Sequence, residues 1–130
     1  MLDGFVLVVD DNPETLNVLA EGLTFEGIQV KTASSVLRAL EALHDGSPQP
    51  VAIITDLMMP QTSGWDFLKH LRGEPAMRAL PLVVITGVEP GEGADLADVV
   101  LQKPIDVTQV AQTVRELVHA RSIGADRLAP

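Results

Sequence analysis

Phe5-Val6-Leu7-Val8-Val9-Asp10-Asp11-Asn12-Pro13 is the stretch on which the fold turns. An apolar run of this length without a polar break is too short for a helix and matches a strand covered on both faces, as in a parallel sheet. Asn12 then offers a side-chain oxygen to the first amides of a helix, and Pro13 suits the first helical position because its missing N–H would bond to nothing there. A buried strand that passes straight into a helix is the first half of a βαβ unit.

The same pattern repeats along the chain. Apolar, β-branched runs at Phe5–Val9, Ile28–Thr32, Val51–Thr55, Leu82–Ile85 and Val99–Leu101 alternate with segments of helical period. Ile28-Gln29-Val30-Lys31 alternates polar with apolar and predicts an edge strand. The first helix is expected to begin after Asn12 and to end before Gly27, with Leu16, Leu19, Ala20 and Leu23 inward. A second follows Ser34, with Val36, Leu37, Leu40 and Leu43 on one face, and ends near Gly46-Ser47-Pro48. Trp65–Arg72 forms the third, with Trp65 covering its start. The last runs from Val107 to Ala120 behind an Asp106 cap, leaving residues 121–130 as a tail or the start of a linker after a domain at 1–120. Gly87–Leu96 carries three glycines and a proline where a helix should join strands four and five, so that fourth helix is expected to be short, irregular or absent.

Composition narrows the possible functions. The 130 residues suit one domain, and 46% apolar content is enough for one core. No cysteine is present, which excludes disulfides, thiolate metal sites and thiol nucleophiles, and suits a reducing compartment. Eighteen acidic against nine basic residues, a net charge of −9, argue against nucleic-acid binding and favour cations. The apolar runs are far short of the roughly 20 residues that span a bilayer, and the start lacks a basic leader, so a cytoplasmic location is expected.

Ligands in open α/β sheets bind beyond the carboxyl ends of the strands, where strand order reverses. Strand one runs into Asp10-Asp11, strand three into Asp56, strand four into Thr86 and strand five into Lys103. A doubly wound order of 2-1-3-4-5 would bring all of them to one edge. Three carboxylates there repel by roughly 4 kcal/mol per pair at about 4 Å and an effective dielectric near 20. Either one of them holds a proton or a divalent cation binds, and all-oxygen ligation suits Mg²⁺. A cation and Lys103 would balance the three carboxylates and leave positive groups aimed at phosphoryl oxygens.

Four motifs carry a family resemblance: Val8-Val9-Asp10-Asp11-Asn12; Asp56-Leu57-Met58-Met59-Pro60 with Gly64; Ile85-Thr86-Gly87; and Lys103-Pro104. With them the chain resembles the CheY-like receiver domains of two-component response regulators over Leu2–Ala120. The resemblance implies a three-layer, flavodoxin-like (βα)5 fold and a phosphorylation-operated switch. Asp56 would be the phosphoacceptor. Asp11, Asp56 and the Met58 backbone carbonyl would ligate Mg²⁺, and Asp10 would act through metal-bound water. Thr86 and Lys103 would hold phosphoryl oxygens, and Lys103-Pro104 would be a cis peptide. Donor and reader would be a histidine kinase or phosphotransfer protein and a downstream protein or fused output domain. Apolar Met58 and Val88, each two positions past a site residue, imply slow hydrolysis of the phosphoaspartate.

Other readings fare worse. A haloacid-dehalogenase-like phosphatase needs a second Asp where Met58 stands, and no P-loop motif occurs. A receiver-shaped interaction module that ignores phosphate is the alternative. Two departures bear on signalling rather than chemistry: Val100 replaces the family's usual aromatic three residues before the lysine, and the Gly87–Leu96 interval is short. His44, His70 and His119 lie on three predicted helices away from every strand end and read as surface residues rather than metal ligands.

Overall fold

The structure is a computed structural model that describes residues 4–46, 48–57, 64–87 and 94–128. In chain order it contains β1 (Phe5–Val9), α1 (Pro13–Phe25), β2 (Gln29–Ala33), α2 (Val36–His44), β3 (Ala52–Thr55), α3 (Gly64–Gly73), β4 (Leu82–Thr86), a 3₁₀ turn at Ala94–Leu96, β5 (Val99–Gln102) and α4 (Val107–Leu128). The strands form one parallel sheet in the order β2-β1-β3-β4-β5.

Successive residues of a strand face opposite sides, and here both sides are covered. Val6 and Val8 of β1, Ile54 of β3 and Val83 and Ile85 of β4 pack on Leu16, Leu19 and Leu23 of α1 and on Val110, Ala111 and Val114 of α4. Leu7, Val9, Ile53, Leu82 and Val84 face the other way, onto Val36, Ala39 and Leu43 of α2 and Phe67, Leu68 and Leu71 of α3. The three layers explain why the central strands are apolar apart from the buried Thr55 and Thr86 at their carboxyl ends, since any outward position in them would still be buried.

Local chemistry sets the helix ends. Asn12 Oδ1 accepts from the amides of Glu14 (2.9 Å) and Thr15 (3.3 Å), with Pro13 at the first helical position. Gly27, at φ +85°, closes α1 in the left-handed conformation. Its N–H donates to Thr24 O and that of Ile28 to Leu23 O, a pairing that satisfies the last carbonyls of the helix. Ser35 caps α2 through Arg38 N, and Asp106 caps α4 through Gln109 N.

Two expectations need correction. Leu37 is 66% exposed, and Ala39 occupies the buried face of α2 instead. At about 100° per residue, Leu37 lies a quarter-turn off the stripe through Val36, Ala39, Leu40 and Leu43. The last helix also continues past Ala120 to Leu128, because Arg121–Leu128 contains no proline and a single glycine. Trp65 is partly buried against the α2–α3 core, as expected.

Between β4 and β5 the described part of the connection is the 3₁₀ turn at Ala94–Leu96; residues 88–93, and with them Val88, lie outside the described residues. Arg72 of α3 secures this part. Its Nε donates to Leu96 O (3.0 Å), one terminal nitrogen to Arg78 O (2.7 Å) and Leu80 O (2.9 Å), and the other to Asp98 Oδ2 (3.0 Å). The same Asp98 oxygen accepts from Leu82 N at 2.7 Å, so one guanidinium ties the end of α3 to the starts of β4 and β5.

Candidate acidic site at the carboxyl edge of the sheet

Asp10, Asp56 and Lys103 each stand one residue beyond a strand and are still held by ladder bonds. The N–H of Asp10 donates to Ala33 O (3.1 Å), that of Asp56 to Val9 O (3.1 Å), and that of Lys103 to Thr86 O (2.8 Å). Neighbouring strands thus fix where each side chain emerges. Asp10, Asp56 and Thr86 are buried, while Asp11 is exposed at the mouth.

Carboxylate oxygens of Asp10, Asp11 and Asp56 lie within 4.8 Å of one another. Lys103 Nζ is 3.4 Å from Asp56 Oδ2 and 4.0 Å from Asp10 Oδ2. The other oxygen of each buried carboxylate is tied to the main chain: Asp56 Oδ1 accepts from Leu57 N at 2.7 Å and Asp10 Oδ1 from Asn12 N at 2.9 Å. Both carboxylates therefore have a fixed orientation, with Oδ2 toward the ammonium. Burial pushes the Asp10 carboxyl above its usual 3.8; the Asn12 amide opposes this, Asp56 adds to it, Lys103 opposes it, and Asp11 adds to it.

Gly64 shows why that spacing matters. A Cβ there would stand 2.7 Å from Leu57 Cα and closer still to the Asp56 carbonyl oxygen, while Gly64 N–H donates to Leu57 O at 2.9 Å. Only glycine lets the start of α3 press against the main chain of Asp56 and Leu57. The Lys103–Pro104 peptide is cis, as the resemblance implied.

All five side chains singled out in the sequence, those of Asp10, Asp11, Asp56, Thr86 and Lys103, therefore stand at this one edge. Met58, expected to contribute its carbonyl, lies outside the described residues. Sequence reading missed the amides of Asn12 and Leu57, since a main-chain donor leaves no mark on residue type; the short polar Asp two residues before Asn12 was the one available signal. The donor set is oxygen only, which fits a hard divalent cation such as Mg²⁺ and not a nitrogen- or sulfur-seeking metal.

A sequence profile described as the response regulator receiver domain matches residues 6–115. A two-component response regulator of Arabidopsis thaliana is 30% identical, over 90% of this chain and 86% of its own length. The transcriptional regulatory protein KdpE of Mycobacterium tuberculosis is 32% identical over 96% of this chain, which spans only 55% of that relative. Among solved structures, the signal receiver domain of a signal transduction histidine kinase from Syntrophus aciditrophicus superposes with a TM-score of 0.80 at 25% identity, covering 90% and 91% of the two chains. A response regulator receiver domain from Clostridium thermocellum gives 0.82 at 24% identity over 92% and 98%. No helix among the described residues is long and apolar enough to cross a membrane. With the profile spanning most of its length, the chain belongs to the response regulator receiver domain family, the phosphorylation-operated switches of two-component signalling.

Proposed function

We propose that Asp56 is the phosphoacceptor, and that Asp10, Asp11, Asp56 and the Met58 carbonyl hold Mg²⁺ beside it, Asp10 largely through water. The observation that carries this reading is the placement of Lys103 Nζ 3.4 Å from Asp56 Oδ2, where three carboxylates meet within 4.8 Å. Bound Mg²⁺ supplies Lewis-acid charge for phosphoryl oxygens. The chain's own residues do the rest. One Asp56 oxygen forms a new O–P bond as the P–N bond of a donor phosphohistidine, or the P–O bond of an acyl phosphate, breaks in line. The leaving imidazole or carboxylate keeps the bonding electron pair. Lys103 and the Thr86 hydroxyl hold the transferred phosphoryl oxygens, and the ladder bond of Asp56 with the Leu57 amide keeps the carboxylate oriented, so little reorganisation is needed.

This reaction modifies the protein itself and turns over no separate substrate. The donor is a histidine kinase or phosphotransfer protein and the reader a downstream protein or fused output domain; nucleic acid is not bound by this acidic domain. The tenfold or greater loss expected from removing Lys103 follows from the loss of its charge at the transferring group. With Mg²⁺ and acetyl phosphate, intact-mass measurement should show one added phosphoryl group on the wild type, none on Asp56→Asn and much slower addition on Lys103→Ala. Unchanged incorporation in Asp56→Asn would overturn the assignment. No incorporation in the wild type would point to an interaction module.

A further inference from the structure

A second cluster of ligand-type side chains stands apart from the acidic edge. His44 is the last residue of α2, His70 lies in α3, and Glu74 follows α3 four residues after His70. Although the two histidines sit on separate helices, packing brings their rings to 5.9 Å between centroids at an interplanar angle of 81°. His70 Nε2 is 3.5 Å from Glu74 Oε1, as residues four apart along a helical path allow. One ligand atom from each of the three lies within 4.8 Å of the others. Both histidines are exposed and Glu74 is half-buried, so an ion reaches them from solvent without disturbing the core.

We propose that His44, His70 and Glu74 form a Zn²⁺ site that pins α2 to α3. Two imidazoles and one carboxylate are a common donor set for Zn²⁺, which completes its tetrahedron with water when three protein ligands are supplied. The acidic edge offers oxygen alone and suits Mg²⁺, so the two sites select different cations by donor chemistry. The pinned helix is also the one whose first residue, Gly64, abuts the Asp56 main chain. Zinc would thus hold the far end of the element that supports the acidic edge.

The test is a Zn²⁺ titration of the whole chain in excess Mg²⁺, following the histidine ring signals by NMR and the unfolding midpoint. One equivalent of Zn²⁺ should move the signals of His44 and His70, leave those of His119 in place, and raise the midpoint at all protein concentrations. His44→Ala and His70→Ala should each weaken Zn²⁺ binding at least about tenfold, Glu74→Gln should weaken it less, and His119→Ala should leave it unchanged. Unaltered affinity in His44→Ala would overturn the proposal. So would loss of Zn²⁺ binding in Asp10→Asn, which would place the ion at the acidic edge, or a midpoint shift that appears only as the protein dimerises. Should an alanine variant fail to fold, the pattern of shifted histidine signals in the wild type decides alone.

Discussion

Replacing Asp10 by Asn should stabilise the metal-free protein, and the gain should depend on pH. Asp10 is 3% exposed and shares its pocket with two other carboxylates within 4.8 Å. At an effective dielectric of about 20, each of those neighbours costs an ionised Asp10 about 3 to 4 kcal/mol, while Lys103 at 4.0 Å returns about 4. Two repulsions against one attraction leave a net cost of about 3 kcal/mol. Solvent around exposed Asp11 and partly exposed Lys103 reduces that cost, and burial of the charge adds to it. Asn keeps an oxygen for the Asn12 amide and drops the charge, so a gain of about 1 to 3 kcal/mol is expected where Asp10 is ionised.

The sign with pH follows from the raised Asp10 pKa, set first by burial. A carboxyl that holds its proton more tightly when folded is most favourable at and below the unfolded value near 3.8, and its contribution is lost as pH rises through the folded value. Asn has no such titration. Urea unfolding with chelator present should therefore show the two proteins close together near pH 4 and the variant ahead near pH 8. Saturating Mg²⁺ should narrow the gap by stabilising the wild type more. A variant equal to or weaker than wild type near pH 8, or a gap that is constant with pH, would refute the reasoning.

Two further outcomes test the supports of the site. Gly64→Ala forces a Cβ against the main chain of Asp56 and Leu57, and should cost about 1 to 3 kcal/mol and slow phosphoryl incorporation; unchanged melting and unchanged incorporation would show that the loop yields freely. Arg72→Ala strips the Arg72 donors from Leu96 O, Leu80 O and Arg78 O and leaves the Asp98 carboxylate, among the described residues, with Leu82 N, at a cost of about 1 to 3 kcal/mol. Amide exchange of Asp98, bonded to Leu82 O, should quicken in that variant well beyond the global change, and uniform exchange across the sheet would contradict the clamp.

Sheet order and the acidic edge were legible because burial on both faces writes itself into sequence as continuous apolar runs, as at Phe5–Val9 and Leu82–Ile85, and because strand ends are the places where polar residues then stand out. What stayed hidden depends on main-chain partners or on packing between distant helices. Nothing in residue type announces that one Arg72 guanidinium will serve the Leu96, Arg78 and Leu80 carbonyls, since every residue carries an identical acceptor. His44 and His70 stand on either side of β3 in the chain, so their proximity follows only once α2 and α3 lie side by side on the sheet. Leu37 went astray for a smaller reason: a leucine at the border of a helical stripe looks the same in sequence as one inside it, and Ala39, less conspicuous, took the buried place.

The hidden clamp also bears on how a change at Asp56 reaches the rest of the molecule. Val100, aliphatic where the family resemblance implied an aromatic, packs partly buried, as do Leu96 and Ala97, on the α2–α3 core. Without a large ring at Val100, a coupling between the acidic edge and β5 would require another contact. α3 meets the requirement: Gly64 at its start abuts the Asp56 and Leu57 main chain, and Arg72 near its end grips Leu96 and Asp98, about 12 Å along the axis at 1.5 Å per residue. A rigid-body displacement of α3 at Asp56 and Leu57 would be carried to Leu96 and Asp98. Arg72→Ala separates the two ends experimentally, because it leaves every residue of the acidic edge in place. Phosphoryl incorporation should then persist while the phosphorylation-dependent change in exchange at Leu96–Asp98 disappears; if that change survives, the connection receives its signal through Thr86 and β5 alone.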